Sequence, residues 1–197
     1  MKHFIASVVF AASCILLSSA SFAVPITYIT SLSGAAESPP NPSLGTGSSV
    51  VVYDAAAHSL AVSVVFSGLS GLTTMSHIHC CTTTPGTGTA MVATETPSFP
   101  NLPLGVTAGS FTESFDLTLA TIWNPAFITA SGGTVAAAEA VFAAGLAADT
   151  SYLNIHTTVV PGGEIRGFLT AAPEPASIAL LTAGLLGVAA ALKRARG

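Results

Sequence analysis

The chain has 197 residues, of which five are Lys or Arg and nine are Asp or Glu, so only 7% are charged, where about 25% is usual for a soluble globular chain. Residues 24–172 hold eight of the acidic residues and a single basic one, Arg166. Such an acidic balance cannot neutralise a phosphate backbone, which excludes nucleic-acid binding, and it also excludes catalysis by Lys or by an Arg cluster.

The first 23 residues have the parts of a secretory signal peptide. A cationic start at Lys2 is followed by an apolar run, residues 4–17, and by small residues that end in Ser21-Phe22-Ala23. The run is short for a membrane span, and the small residues form a cleavage signal. The sequence therefore predicts export, with residues 1–23 removed.

Residues 24–172 are predicted to form one mainly β domain. Short segments rich in β-branched and aromatic residues recur between turn-forming clusters, a pattern typical of an antiparallel sandwich or barrel. The predicted strands are 26–32, 48–53, 60–66, 75–79, 109–119, 152–158 and 164–169. The Ala-rich residues 134–148 are instead predicted to form a helix with Thr134 as its N-cap. We expect an antiparallel, Greek-key-like β-sandwich with one helix.

Three histidines lie at the alternating spacing of a strand face. His77 and His79 flank Ile78, and His156 follows Asn154 at the same spacing on a later strand. If the two strands pair, three imidazoles converge, and such a set suits zinc or copper. Polar residues at this spacing are more typical of an internal hydrogen-bond network that holds strands in register, so the metal site is the alternative interpretation.

Arg166 is the only cation of residues 24–172, and a buried charge without a partner costs several kcal/mol. The sequence therefore predicts an acidic partner, with Glu37 and Glu164 as the candidates. His58 lies in a predicted hairpin turn, 54–59, and has no predicted role.

Cys80 and Cys81 are the only cysteines that remain after removal of the signal peptide. Export to an oxidising compartment favours a disulfide, but neighbours on a strand point to opposite faces, so a vicinal bridge needs a turn. Three alternatives stay open: a vicinal disulfide, free or intermolecular thiols, and metal ligation by at least one sulfur.

The last 25 residues have three parts. Pro173-Glu174-Pro175 precedes seventeen small or apolar residues, 176–192, and a basic cluster follows them. Such a run spans about 25 Å as a helix, which is the lower limit for a bilayer, and the basic cluster would stay cytoplasmic. The tail, residues 173–197, resembles the PEP-CTERM sorting signal of exopolysaccharide-producing Gram-negative bacteria. This resemblance implies a transient transmembrane segment, removed by an exosortase-type membrane protease near the Pro-Glu-Pro motif.

Blocks within residues 26–169 resemble the CHRD (chordin-type) domain and occur in the family's order. They are residues 32–40, 45–47, 68–71, 77–79, 152–157 and 161–167. The resemblance implies a β-sandwich module of secreted proteins, with no established catalytic activity. It also implies a polar cluster from the family motifs: Glu37, His77, His79, Asn154, His156, Glu164 and Arg166. Cys80-Cys81-Thr82 departs from the Gly-Pro-Ala that the family usually has there.

Two functions follow as expectations. The first is a non-enzymatic envelope or matrix protein, without catalytic residues or a cofactor, which interacts with exopolysaccharide or matrix proteins at the cell surface. The alternative is a secreted copper- or zinc-binding protein that uses His77, His79 and His156 as ligands.

Overall fold

The structure is a computed structural model that describes residues 24–173, 184–185, 188 and 192–194. Residues 24–173 contain eight strands and two α-helices. The strands are β1 (Ile26–Ser33), β2 (Thr46–Asp54), β3 (Ser59–Ser67), β4 (Thr73–His79), β5 (Gly109–Asp116), β6 (Tyr152–Thr157), β7 (Ile165–Phe168) and β8 (Thr170–Ala171). The helices are α1 (Pro125–Ala130) and α2 (Val135–Ala147). The mainly β, antiparallel character that the sequence predicts is confirmed.

All eight strands belong to one antiparallel sheet with the order β4-β6-β7-β1-β2-β3-β5, and β8 also pairs with β1. A tight hairpin joins β2 to β3, whereas a longer connection, residues 34–45, joins β1 to β2, and both strand pairs are in continuous register. At the β2–β3 turn, the Asp54 carboxylate accepts hydrogen bonds from the amides of Ala56 and Ala57, which is the side-chain turn that Asp favours. The chain then crosses to the other edge of the sheet to form β4.

The sheet curves as a half-barrel, so that its two ends share one core. Buried apolar side chains of β4, β6 and β7, such as Ile78 and Leu153, belong to the same cluster as Val62 and Phe115 of β3 and β5. The sequence predicts a Greek-key sandwich, which has two sheets. In residues 24–173 the hydrogen-bond ladder is instead continuous, and the arrangement is sandwich-like because one sheet bends around the core.

The predicted helix is present as α2. Thr134 is its N-cap, and its side chain accepts a hydrogen bond from the amide of Ala137, which stabilises a helix start by about 1 kcal/mol. Helix α1 was not predicted, although Asn124 caps it and Pro125 occupies its first turn, a combination that commonly starts a helix.

The predicted signal peptide and the predicted C-terminal sorting signal fall almost entirely on residues that the structure does not describe. The signal peptide, residues 1–23, lies outside the described residues, and so do Glu174, Pro175 and most of the predicted membrane segment 176–192. Among the residues that the structure describes, no helix combines the length and the apolar character needed to cross a bilayer.

Candidate metal centre

One face of strands β4, β6 and β7 is polar and largely buried. Because side chains alternate along a strand, every second residue of each strand lies on this face, and the register aligns the three rows. Its members are Met75, His77, His79, Tyr152, Asn154, His156, Arg166 and Phe168. Loops cover this face, and their backbone carbonyls supply many of its hydrogen-bond partners. The pairing of β4 with β6 thus brings the three predicted histidines together.

Each histidine is oriented by a backbone carbonyl. His77 Nδ1 lies 3.3 Å from the carbonyl of Pro97, His79 Nδ1 lies 2.7 Å from that of Ala90, and His156 Nδ1 lies 2.9 Å from that of Pro161. A carbonyl oxygen can only accept, so these contacts require the proton on Nδ1 of each ring. The three Nε2 atoms then carry lone pairs.

The three rings converge on one small space. One ligand atom from each ring lies within 4.8 Å of the other two, and His77 Nε2 is 2.9 Å from His156 Nε2. His79 Nε2 is buried and has no hydrogen-bond partner. Three acceptors cannot satisfy one another, and an unpaired buried polar atom costs about 1–3 kcal/mol. A cation between them would satisfy all three.

Burial keeps the three imidazoles neutral. It lowers the pKa of His77 to about 3, and the neighbouring His79 and His156 lower it further. Burial also lowers the pKa of His79 to about 4, despite the hydrogen bond to Ala90, and it lowers the pKa of His156. A proton is therefore a poor occupant of this space near pH 7. A metal ion binds the neutral form of imidazole, which is the form present.

Arg166 lies beside the histidines and is 3% exposed. Its guanidinium donates to the carbonyls of Ala36 and Gly88 and lies over the ring of Tyr152, 4.6 Å from the centroid. Of the two predicted acidic partners, Glu37 is near, with Oε2 3.7 Å from Nε. Burial raises the pKa of Glu37 to about 7, which outweighs the lowering effect of Arg166.

Glu164, the other candidate, bonds instead to residues around the start of β4 and the end of β6. Its buried carboxylate accepts hydrogen bonds from the hydroxyls of Ser43, Ser70 and Thr157 and from the amides of Ser70 and Gly71. It therefore ties the start of β4 to the end of β6, the two strands that carry the histidines.

Cys80 and Cys81 form a vicinal disulfide, with their Cα atoms 3.0 Å apart. Strand β4 ends at His79, so the cysteines leave the alternation that would point them to opposite faces. Both sulfurs pack against Gly145 of α2. In this oxidised form neither sulfur offers a thiolate to the histidine cluster.

Two features of the structure were not predicted. Tyr152 stacks on His79, with ring centroids 4.6 Å apart and an interplanar angle of 8°. The alternating spacing of Tyr152 and Asn154 indicated that these two residues share a strand face, and this signal could have placed Tyr152 with the histidines.

The second feature is a contact of His58. Its Nδ1 lies 2.8 Å from Glu139 of α2, and Tyr53 also donates to Glu139. Glu139 is 81 residues from His58, so no local pattern indicates this contact.

Comparison with known protein families gives a match. The profile of the CHRD domain matches residues 28–169, which span β1 to the end of β7 and all of the polar face described above. No match was found among curated proteins or among solved structures. Because the matched residues make up most of the chain and contain every strand of the histidine cluster, the chain belongs to the CHRD domain family.

Proposed function

We propose that this protein is an exported, non-enzymatic protein that binds one transition-metal ion, copper or zinc, through His77, His79 and His156. The observation that supports this most directly is the convergence of three imidazoles, one ring nitrogen of each within 4.8 Å of the other two, with the Nδ1 of each ring beside a backbone carbonyl. Metal-binding histidines almost always donate their other ring N–H in this way, which fixes the ring and its tautomer.

The alternative interpretation, an internal hydrogen-bond network, is less well supported. In a satisfied network each buried nitrogen has a complementary partner, whereas His79 Nε2 has none and the Nε2 atoms of His77 and His156 face each other. Imidazole nitrogen is a good ligand for copper and zinc, and three such donors meet the usual minimum for a protein metal site.

The location of the protein is also part of the proposal. The CHRD domain suggests an extracellular or secreted domain. The signal peptide and the PEP-CTERM-like tail support export across the inner membrane. An exosortase-type protease would then process the tail near Pro173, and the domain would be released to the cell surface or the extracellular matrix.

The test is metal content. The full chain, exported to the periplasm and purified with a histidine-free affinity tag, is incubated with copper or zinc, freed of excess ion and analysed by elemental mass spectrometry. We expect about one ion per chain, and a loss of the ion in His77→Ala, His79→Ala and His156→Ala, because a site of three ligands tolerates no deletion.

The matched control is His58→Ala, since the His58 side chain is 54% exposed and belongs to no cluster of ligands in the described residues. This variant should keep its ion. Thermal unfolding checks that each variant folds. Added metal should raise the melting temperature of the wild type and of His58→Ala, but not that of the three cluster variants. Wild-type protein that stays free of both metals would contradict the proposed function.

A groove on the outer face of β1 and β2 supports a second candidate, binding of a neutral glycan. It has a volume of about 560 Å³ and no charged lining residue. Its lining is Ile29, Thr30, Ser31, Ser48, Ser49, Val50, Phe168 and Thr170. Hydroxyl groups and one aromatic ring suit the polar edges and apolar faces of sugars. An interaction with exopolysaccharide in the matrix would use this face, and it becomes the better-supported function if the chain binds no metal.

A further inference from the structure

Met75 lies on the same strand face as the histidines. It is two residues before His77 on β4, and the register places it directly opposite His156 on β6. Residues opposite each other in an antiparallel pair share a face, with Cβ atoms about 4.5–5.5 Å apart. The flexible methionine side chain is long enough to reach across such a pair. Met75 is partly exposed, so its thioether can turn toward the histidines without leaving a cavity in the core.

The charges around the cluster favour an ion of low charge. The three ligands are neutral, and no Cys, Asp or Glu joins them in the described residues. The register places the buried Arg166 guanidinium on the same face, and Arg166 and its partner Glu37 together add no net negative charge when Glu37 is ionised. The desolvation cost of an ion rises with the square of its charge. A monovalent ion is therefore much less costly here than a divalent one.

The geometry also disfavours a typical zinc site. Zinc bound by three protein ligands usually completes its tetrahedron with water. His79 Nε2 has no exposure to solvent, and His77 and His156 are only 3% and 7% exposed. A fourth ligand from the protein would need no water at this buried position, and the register places Met75 on the same face, opposite His156.

We propose that the centre is selective for Cu(I), bound by Nε2 of His77, His79 and His156 and by the thioether sulfur of Met75. Thioether sulfur is a soft ligand that selects Cu(I) among the available metals. This inference rests on the proposed function, because it names the ion and adds a ligand to the same site.

The experiment compares Met75→Leu with Met91→Leu in the full chain. Leucine keeps the volume and the apolar character of methionine but has no sulfur. Met91 is 39% exposed and contributes its backbone carbonyl to Cys80, so Met91→Leu is the matched control. Cu(I) affinity is measured without oxygen by competition with bicinchoninate, and zinc affinity by competition with a chromophoric zinc chelator. Copper X-ray absorption reports whether sulfur coordinates the ion.

We expect the wild type to bind Cu(I) more tightly than zinc, with sulfur coordinated to copper. Met75→Leu should lose that sulfur signal and at least about tenfold in Cu(I) affinity, with zinc affinity unchanged, and Met91→Leu should match the wild type. Unchanged Cu(I) affinity in Met75→Leu would overturn the role of Met75. Tighter binding of zinc than of Cu(I) by the wild type would overturn the selectivity and leave the proposed function intact. Wild-type protein that binds neither ion would overturn both.

Discussion

Glu37 and Glu164 are two buried carboxyl groups whose pKa values shift in opposite directions. Burial raises the pKa of Glu37 to about 7, which outweighs the lowering effect of Arg166, whose Nε lies 3.7 Å from Oε2, and Oε1 has no hydrogen-bond partner. Burial would raise the pKa of Glu164 as well, but hydrogen bonds from Ser43, Thr157 and Ser70 hold it below its usual value. At the scale of the residue, the number of donors decides which carboxyl stays ionised.

The metal-free protein should lose stability as the pH falls below about 6.5, the pKa of an unperturbed histidine. The lowered pKa values of His77, His79 and His156 mean that the unfolded chain binds protons more readily than the folded one. Their contribution is therefore fully present above that pH and is lost below it. Glu37 acts in the opposite direction, because its raised pKa makes its contribution largest at low pH.

The combined effect of the three histidines on the free energy of unfolding exceeds the opposite effect of Glu37. Between pH 6.5 and 5.5 the net loss should be on the order of 2 kcal/mol in the free energy of unfolding. Urea denaturation of the metal-free chain at several pH values measures it. Replacing His77 by Asn should reduce this pH dependence, because it removes one of the three groups with a lowered pKa. A free energy of unfolding that does not vary over this interval would contradict the depressed pKa values.

At the scale of the element, helix α2 packs closely against the disulfide that directly follows strand β4. Gly145 of α2 faces both sulfurs of Cys80 and Cys81, and a Cβ atom at this position would collide with both and lie 3.0 Å from Ser151 Oγ. Glycine is unfavourable inside a helix by about 1 kcal/mol relative to alanine. Its presence here is explained by the close approach of the disulfide.

Gly145→Ala should therefore destabilise the protein by about 2 kcal/mol, because the steric cost of overpacking exceeds the gain in helix propensity. The free energy of unfolding in urea measures this, and Gly162→Ala is the control, since a Cβ atom at Gly162 meets no atom within 4 Å. In a Cys80→Ala/Cys81→Ala background the same substitution should cost less, because the sulfurs are gone. An equal cost in both backgrounds would show that the sulfurs do not cause it.

At the scale of the whole molecule, the features that depend on local sequence could be predicted and those that depend on strand order could not. Alternation places the seven main strands within three residues of their bounds, and Thr134 starts α2 as expected. The strand predicted at 109–119 ends earlier, at Asp116, because its carboxylate accepts hydrogen bonds from Thr118 and forms a turn.

The candidate site shows the same division. The His77-Ile78-His79 spacing predicts two imidazoles on one face, but whether His156 joins them depends on β4 pairing with β6, which lies 73 residues further along the chain. Local sequence gave two candidate partners for Arg166, and only the fold distinguishes Glu37 from Glu164. The carbonyls that set the histidine tautomers belong to loops without any sequence signal for that role.

The C-terminal tail, residues 173–197, should determine the cellular location of the protein. Its Pro-Glu-Pro motif closely follows the sheet, whose last strand in residues 24–173, β8, ends at Ala171 and pairs with β1. If an exosortase-type protease processes the tail at this motif, Pro173→Ala/Glu174→Ala/Pro175→Ala should leave an uncleaved chain in the inner membrane, because the apolar run and the basic cluster remain attached. Cell fractionation and the intact mass of the recovered chain measure this.

The control is Thr170→Ala. Thr170 is exposed and lies three residues before the motif, so this variant should be processed like the wild type. Normal cleavage and release of the triple variant would show that sorting does not depend on the motif.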